Sequence, residues 1–368
     1  MLPYTPDLLP LQGLDYGRLI GLVGRANLEL ARYDGLLQGL VNPEIMLSPI
    51  MTQEAVLSSR IEGTQATLDE VLAHEAGETN VGEKAQDIHE ILNYRAALLL
   101  AREYLQEGRP ISLHLVREVH RLLLDSVRGR NKAPGQFRID QNWIGRPGCS
   151  MEEASYVPPS PLTLMEHLEA WGRYLSVRDV DPLIQAAVVH AQFELIHPFK
   201  DGNGRIGRLL IPLYLFQSGT LQQPMFYMSG YLERHRDVYY DRLEHISSQG
   251  DWNGWIEFFL RAVGEQAATN AAVVVEIRSL YNRLKIRIDA RTRSPYALRL
   301  LDAIFDRPLF QVSEFSARTG IPKQTANPLL GKLKADGILH QVRPGSGRRA
   351  EVLVLPELLG IVEEQSNA

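Results

Sequence analysis

Residues 197–208 read HPFKDGNGRIGR and lie between two apolar stretches, QAAVVHAQFELI before them and LLIPLYLF after them. Gly202 and Gly204 allow the backbone to come close to a ligand and to adopt conformations that are closed to other residues. From Gly204 onward the spacing is helical, so the segment predicts a glycine loop that leads into a helix N-terminus. Free N–H groups and the helix dipole favour an anion at such a terminus.

The polar side chains of this segment suit a triphosphate. Arg205 and Arg208 are three positions apart and therefore share one face of the helix start, where two guanidinium groups can bind phosphates. Asp201 offers the oxygen ligand that a phosphate-bound Mg²⁺ takes, and Asn203 can bond to phosphate oxygens without adding charge. Histidine has an ordinary pKa near neutrality, so His197 is a candidate to accept a proton from an attacking hydroxyl. The set indicates phosphoryl or nucleotidyl transfer; the alternative is an irregular loop whose polar groups satisfy one another.

The complete string matches H-x-F-x-[DE]-G-N-G-R-x-x-R and resembles the signature of the Fic family. This resemblance implies an enzyme that uses Mg-ATP to place AMP on a Ser, Thr or Tyr hydroxyl of a protein, including itself. His197 would then deprotonate the hydroxyl, Asp201 would hold Mg²⁺ at the phosphates, and Arg208 would reach the γ-phosphate. The resemblance implies that the other ATP-binding residues of the motif are Gly202, Asn203, Gly204, Arg205, Ile206 and Gly207.

The segment upstream of the motif changes character, because Pro, Gly and alternating side chains replace helical periodicity. We predict a β-hairpin within 134–158. The stretch FRIDQNWIG, 137–145, resembles the flap of the family, which aligns a target segment by strand addition. Ile144 and Gly145 would then lie close to the nucleotide. An ordinary hairpin is the alternative.

Two adjacent tyrosines downstream of the motif are candidates for the adenine site. They belong to VYYDRL, 238–243, where family members place aromatic residues near the base. The resemblance therefore implies nucleotide contacts for Tyr239 and Tyr240. Plain packing of both rings in the core is the alternative.

The stretch SSRIEGTQ, 58–65, resembles the inhibitory pattern of the family, [ST]-x-x-x-E-[GN]. Ser58 and Glu62 are four apart and share a helical face, and Gly63 follows. The resemblance implies that Glu62 pairs with Arg208 and leaves ATP in a non-productive pose. Without it, the stretch is a polar helix side that ends at Gly63. In some relatives the same glutamate positions a water that removes AMP, so the reverse reaction is a second possibility.

The last part of the chain predicts a winged helix-turn-helix domain. Residues 296–356 follow the order helix, short helix, turn, helix and two-stranded wing, and they hold nine Lys and Arg against five Asp and Glu. DNA is therefore a candidate partner, with KQTANPLLGKLKADG as recognition helix and Arg343, Arg348 and Arg349 facing phosphates. Pro328 in the recognition segment weakens this interpretation, and the alternative is a protein contact or dimer packing.

The whole chain is expected to be mainly α-helical, a Fic-type bundle with an inserted β-hairpin flap and a C-terminal winged helix. Its 368 residues allow two or three domains, which we place at 1–110, 111–290 and 291–368, with the inhibitory helix at about 50–74. The net charge of −5, the single cysteine, and the lack of a leader pattern or a long apolar run favour a cytoplasmic protein without membrane contact.

The sequence leaves the function open in part, and its helical periodicity predicts the remaining helices. A homodimer is expected from the resemblance. The rival functions are a winged-helix DNA-binding regulator with a nucleotide-sensing Fic core, and an enzyme that mainly removes AMP or transfers another phosphate-linked group. The predicted helices are 14–40, 50–74, 84–107, 113–127, 161–175, 182–196, 204–217, 234–248, 252–290 and 296–306.

Overall fold

The structure is a computed structural model that describes residues 2–77, 84–125, 130–146, 148–346 and 349–367. Arg348, which we placed at the wing tip, lies outside the described residues. The helices are α1 Tyr16–Gln38, α2 Pro43–Met46, α3 Ser48–Ile61, α4 Leu68–Glu75, α5 Ala85–Gln106, α6 Leu113–Leu123, α7 Leu164–Tyr174, α8 Pro182–Ile196, α9 Asn203–Gln217, α10 Ser229–Arg234, α11 Arg236–Gln249, α12 Trp252–Thr292, α13 Ala297–Asp306, α14 Val312–Thr319, α15 Lys323–Ala335 and α16 Pro356–Asn367. The chain is mainly helical, as predicted.

The chain forms two compact units. The first contains Met1–Asp34, Leu57–Thr64 and His89–Ala268, and the second contains Gly35–Val56, Gln65–Ile88 and Thr269–Ala368. The motif at 197–208 and the stretch around Glu62 both belong to the first unit, although they are far apart in sequence. The domain boundaries given above remain a prediction.

Helix α8 is the centre of the first unit. All of its side chains are buried except those of Pro182 and Glu194, as expected for a helix that is apolar on every side. The carboxylate of Asp181 caps its first turn by accepting the N–H groups of the second and third helical residues, at 2.8 and 3.3 Å. The indole N–H groups of Trp171 and Trp255 each donate to a carbonyl of α8 at 2.9 Å. These contacts fix the helix whose last turn leads into the motif.

The motif forms a tight loop between α8 and α9. Phe199 is fully buried at its centre. The Asn203 amide closes the loop, because its Oδ1 accepts the N–H of Phe199 and its Nδ2 donates to the carbonyl of Phe199, both at 2.9 Å. Gly202 has φ of +78° and turns the chain into α9. The predicted glycine loop at a helix start is therefore confirmed.

The helix predicted over 50–74 divides into two. It leaves the helical conformation after α3, where Gly63 has φ of +101°, a value that glycine tolerates best. A capping box then starts α4, since Thr67 accepts the N–H of Glu70 and Glu70 accepts the N–H of Thr67. Periodicity alone joined the two helices because their apolar positions happen to stay in phase.

In the described residues of 134–158, the predicted hairpin is reduced to an antiparallel bridge between Ile144 and Tyr156. The backbone N–H of Arg138 donates to the carbonyl of Pro198 in the motif, at 2.9 Å, and not to a partner strand. The returning segment reads VPPSP, and proline cannot donate to a strand ladder. The flap therefore bonds to the motif loop as well as across its own bridge.

The C-terminal part of the second unit contains α13, α14, α15 and a sheet. Its strands are β1 Leu309–Gln311, β2 His340–Arg343 and β3 Val352–Val354. In the described residues they pair antiparallel in the order β1-β3-β2, with Leu309 and His340 both opposite Val354. The predicted order of helices and wing strands is present, and β1 and α16 were not predicted. The winged-helix assignment stays a prediction.

Within the described ranges, every helix is too short or too polar to cross a membrane.

The turn at Gly202 provides a test of the loop. We expect Gly202→Ala to lower the free energy of unfolding by about 2 kcal/mol, because a Cβ there combines a positive φ with an approach of 3.2 Å to Leu123 Cδ2. Gly219 has nearly the same φ of +77° with open space around it, so Gly219→Ala should cost only about 1 kcal/mol. Urea unfolding measures both. Equal losses in the two variants would contradict the packing part of this account.

Candidate active site

His197 ends α8 in a left-handed conformation, with φ of +47° and ψ of +60°. Its Nδ1 lies 3.3 Å from the carbonyl oxygen of Glu194, so Nδ1–H donates and Nε2 is left with a free lone pair. Burial lowers the pKa of the imidazole to about 4. At neutral pH the ring is therefore uncharged and able to accept a proton at Nε2.

The guanidinium of Arg138 holds the backbone around His197. It donates to the carbonyls of His197 at 2.9 Å, Pro159 at 2.6 Å and Ile196 at 3.4 Å. The residue is only 2% exposed, and burial lowers its pKa to about 10, so the group stays charged. Arg138 therefore joins the flap to the end of α8 and stabilises the left-handed turn that carries His197.

His120 supports the other side of the motif loop. Its ring stacks on Phe199 with centroids 3.7 Å apart and planes 7° from parallel. Its Nε2 lies 3.1 Å from the carbonyl of Asp201, and its Nδ1 accepts the N–H of Gly135 at 2.7 Å. Burial lowers its pKa to about 4, so the ring is neutral and can play both roles at once.

Arg205 forms two ion pairs in the predicted phosphate site. One guanidinium nitrogen lies 3.0 Å from Glu90 Oε2, and another lies 3.3 Å from Asp201 Oδ1. The Arg205 side chain is 5% exposed, whereas that of Asp201 is 41% exposed. The pairing therefore orients Asp201 while leaving part of its carboxylate accessible.

The donor set suits a Mg²⁺ ion that arrives with phosphates. Among the described residues, no group of three or more His, Cys, Asp and Glu side chains could hold a metal ion by itself. Mg²⁺ commonly takes one or two protein carboxylates and completes its shell with phosphate oxygens and water. Asp201 is a single exposed carboxylate beside a helix N-terminus, which fits that manner of binding.

Arg208 meets the predicted inhibitory stretch. Its Nε donates to Ser58 Oγ at 3.0 Å, and its Nη2 donates to the Ser58 carbonyl at 2.8 Å and to Glu62 Oε1 at 2.7 Å. The sequence prediction that Glu62 pairs with Arg208 thus agrees with the geometry. A Cβ on Gly204 would overlap Glu62 Oε1, so the glycine of the motif makes room for this carboxylate.

Electrostatics favour the charged pair. Burial would raise the pKa of the Glu62 carboxyl, but the charge and hydrogen bond of Arg208 outweigh burial and lower the pKa below its usual value. Burial would likewise lower the pKa of Arg208, but the Glu62 carboxylate raises it above its usual value. The Arg208 side chain is 1% exposed, so its charge needs a partner.

His197, Glu62 and Arg208 line a cavity of about 450 Å³ in the first unit. Of the predicted site residues, it brings together Glu62, Ile144, His197, Gly204, Arg208, Tyr239 and Tyr240. The other predicted residues do not line it. Gly63 follows the end of α3, Ser58 and Ile206 are fully buried, and the absent Cβ of Gly145 makes room for Cys149 Sγ.

The two predicted tyrosines differ in their surroundings. Tyr239 is buried, and its hydroxyl lies 3.0 Å from His190 Nε2. Tyr240 is 40% exposed at the cavity, and the Arg236 guanidinium lies 5.8 Å from its ring centroid. Tyr240 is thus the ring that a ligand can reach most easily. Tyr239 packs in the core, which was the alternative given for both rings.

The amide oxygen and nitrogen of Asn203 both bond to Phe199, and its predicted contact with phosphate stays a prediction. The sequence reasoning also missed several residues near the cavity. Arg138 stands out in sequence only as a basic residue between two apolar ones, and Glu194 as the one acidic residue of an apolar helix. Additional cavity residues are Ser155, Tyr156, Glu194, Leu195, Leu243, Glu244 and Ser247.

Comparisons with known proteins identify the family of the chain. The family model for the Fic/DOC family N-terminal region matches residues 20–103, and the model for the Fic/DOC family matches residues 110–215. Together these matches cover more than half of the 368 residues. The chain belongs to the Fic/DOC family.

Curated relatives carry the name of an activity. Protein adenylyltransferase Fic of Aedes aegypti is 31% identical over 184 residues, which are 48% of this chain and 33% of that protein. Protein adenylyltransferase fic-1 of Caenorhabditis elegans is 32% identical over 169 residues, which are 43% of this chain and 30% of that protein. The chain therefore matches about a third of the length of these relatives.

Solved structures share the fold. A Fic family protein from Desulfovibrio desulfuricans G20 superposes with a TM-score of 0.59 at 22% identity, covering 96% of this chain and 98% of that one. Fic-1 of C. elegans superposes with a TM-score of 0.53 at 22% identity, covering 71% of this chain and 73% of that one. At this level of identity the likeness concerns the fold alone.

The hydrogen bonds from Arg138 to the carbonyls of His197, Pro159 and Ile196, which we call the Arg138 clamp, can be tested by mutation. We expect Arg138→Met to lower the free energy of unfolding by about 3 kcal/mol, because three buried carbonyls lose a charged donor. Arg138→Lys should lose less, since it keeps the charge without the planar fork. Arg146→Met, an exposed change in the same segment, is the matched control and should cost under about 0.5 kcal/mol. Similar urea midpoints for Arg138→Met and this control would refute the clamp.

Proposed function

We propose that this protein is a protein adenylyltransferase that transfers AMP from Mg-ATP to a hydroxyl side chain of a protein. The observation that carries the proposal is the neutral His197 facing the same cavity as Arg208, beside the N-terminus of α9. A general base, a buried cation and a helix start that favours anions are the groups this reaction needs. The names of the relatives from Aedes aegypti and Caenorhabditis elegans support the same activity.

Each group has a role that follows from its position. His197 Nε2 accepts the proton of the target hydroxyl as its oxygen bonds to the α-phosphorus, and the bond from that phosphorus to the bridging oxygen breaks, releasing pyrophosphate. Backbone N–H groups at the start of α9 and the Arg208 guanidinium bind the phosphate oxygens. A Mg²⁺ ion held by Asp201 would neutralise phosphate charge. The amide of Asn203 closes the loop that carries these groups.

Glu62 is proposed to restrain the enzyme. Its carboxylate takes a guanidinium nitrogen of Arg208 at 2.7 Å, and Ser58 takes the remaining donors that face it. A γ-phosphate therefore has to displace Glu62 before it can bind Arg208. Because the pair is only partly exposed, an anion that replaces Glu62 gains a desolvated partner.

The flap is proposed to present the target. Ile139 is 83% exposed and Trp143 is 43% exposed, so the segment offers apolar side chains on the outside. Its short bridge between Ile144 and Tyr156 leaves backbone groups available for an incoming extended segment. The target protein would thus reach the cavity beside Ile144, which lines it.

Several finer points stay predictions. These points are the direction of the reaction, including removal of AMP, the formation of a homodimer and a cytoplasmic location. The C-terminal winged helix also stays a candidate for contacting DNA: Lys323, Gln324 and Asn327 are exposed on α15, but Lys334 forms an ion pair with Glu351 and is less available for a phosphate.

The proposed restraint predicts the effect of one substitution. Glu62→Gly should raise AMP transfer at least tenfold, because Arg208 becomes available to the γ-phosphate. The measurement is incubation with α-labelled Mg-ATP and a cell extract or the protein alone, followed by detection of labelled protein. Equal labelling by the parent protein and Glu62→Gly would rule out the restraint.

A second substitution separates restraint from catalysis. Glu62→Gly combined with His197→Ala should lose labelling to background, because no group remains to accept the hydroxyl proton. The double variant should still bind ATP. Retained labelling would remove His197 from the base role and with it the proposed reaction.

A further inference from the structure

Glu194 is a polar group in the cavity that the proposed mechanism does not use. It lies in the last turn of α8 and lines the cavity together with Arg208 and Tyr240. Its Oε1 is buried and has no hydrogen-bond partner in the described part of the chain. Buried polar atoms are nearly always paired in folded proteins, so this oxygen indicates a partner that arrives from outside.

The start of α9 is shaped around this carboxyl. A Cβ on Gly207 would overlap Oε1 of Glu194, just as a Cβ on Gly204 would overlap Oε1 of Glu62. Two glycines one helical turn apart thus accept two carboxyl groups on the same helix. Gly207 is a variable position of the signature, so the motif itself does not account for it. Because Gly207 has no side chain, the carboxyl of Glu194 can lie directly against α9, on the helix that also carries Arg208.

The charge of Arg208 acts on both carboxyl groups, but the two differ in their partners. Glu62 bonds to Arg208, whereas Oε1 of Glu194 has no hydrogen-bond partner among the described residues. Burial raises the pKa of Glu194 to about 8; Arg208 opposes this rise and Glu62 adds to it. The titratable groups that face it lie on four elements: Glu62 directly after α3, Arg208 on α9, Tyr239, Tyr240 and Glu244 on α11, the neutral His190 within α8 and the neutral His197 directly after α8.

We propose that Glu194 binds the nucleotide in its protonated form, donating its carboxyl O–H to a phosphate oxygen beside Arg208. This inference rests on the proposed nucleotide chemistry and adds a specificity residue to it. A phosphate that displaces Glu62 brings at least as much negative charge to Arg208, so ionised Glu194 would repel it. The protonated carboxyl instead supplies a donor where the phosphate needs one.

The affinity for the nucleotide depends on pH if protonated Glu194 is the donor. Only the protonated form of Glu194 binds the phosphate, so affinity is highest at low pH and falls as the pH rises through about 8. For a single such group, the affinity falls by about tenfold between pH 7 and pH 9. Gln cannot ionise, and its amide donates at any pH, so Glu194→Gln should remove this part of the pH dependence.

The experiment is calorimetric titration with an ATP analogue that carries a methylene group between the α- and β-phosphates, in the presence of Mg²⁺. The proteins are Glu62→Gly and Glu62→Gly with Glu194→Gln, each titrated at pH 7 and pH 9. Because Glu62→Gly removes one of the groups that raise the pKa of Glu194, we expect the ratio of the dissociation constant at pH 9 to that at pH 7 to be at least about tenfold larger in the first protein. Glu62→Gly with Glu244→Gln is the matched control, because it removes an exposed carboxylate at the same cavity. It should behave like Glu62→Gly.

The outcomes separate this inference from the proposed function. Equal pH ratios with and without Glu194 would overturn the role of Glu194 while leaving AMP transfer intact. A reduced ratio in the Glu244 control as well would also overturn it, since the effect would then be general charge. A protein that binds the analogue with the expected ratios but never transfers AMP contradicts only the proposed function. Failure of every variant to bind the analogue would overturn both.

Discussion

The buried guanidinium of Arg208 needs an anion, and much of the site is arranged around that requirement. A guanidinium that is 1% exposed cannot be left unpaired without a cost of several kcal/mol. In this structure Glu62 and Ser58 meet the requirement. Any ligand that takes their place must bring its own negative charge, which makes the same residue suitable for a phosphate.

Other residues hold the groups that line the cavity beside this cation. Gly204 and Gly207 leave room on α9 for two carboxyl groups, and one of these holds Arg208. On the other side of the cavity, Arg138 fixes the left-handed turn that carries His197. The base and the cation therefore have separate supports, so a change at Arg208 can alter binding without moving His197.

The sequence predicted much of this site because its chemistry is concentrated in one segment. Residues 197–208 contain the proposed base, the carboxylate and both arginines, and glycine spacing indicated the loop and helix that hold them. The pairing of Glu62 with Arg208 could be predicted only by resemblance, since 146 positions separate the two residues and spacing says nothing about such contacts. Arg138, His120 and Glu194 were missed because their roles arise from tertiary contacts.

The errors in the predicted fold have similar causes. One helix was predicted where Gly63 separates two, because apolar positions remained in phase across the break. A hairpin was predicted where the flap bonds to the motif loop, because local alternation does not reveal which partner satisfies the backbone. The contacts of Asn203 with Phe199 were not predicted, because residue type does not show that an amide closes its own loop.

The central claim is that Glu62 and a γ-phosphate compete for Arg208. Its most direct test compares the affinities of ATP and ADP, with Mg²⁺, for the parent protein and for Glu62→Gly. Competition predicts that Glu62→Gly binds ATP about tenfold or more tightly than the parent does, a gain of about 1.4 kcal/mol, while the affinity for ADP hardly changes. An equal gain for both nucleotides, or no gain for ATP, would contradict the account.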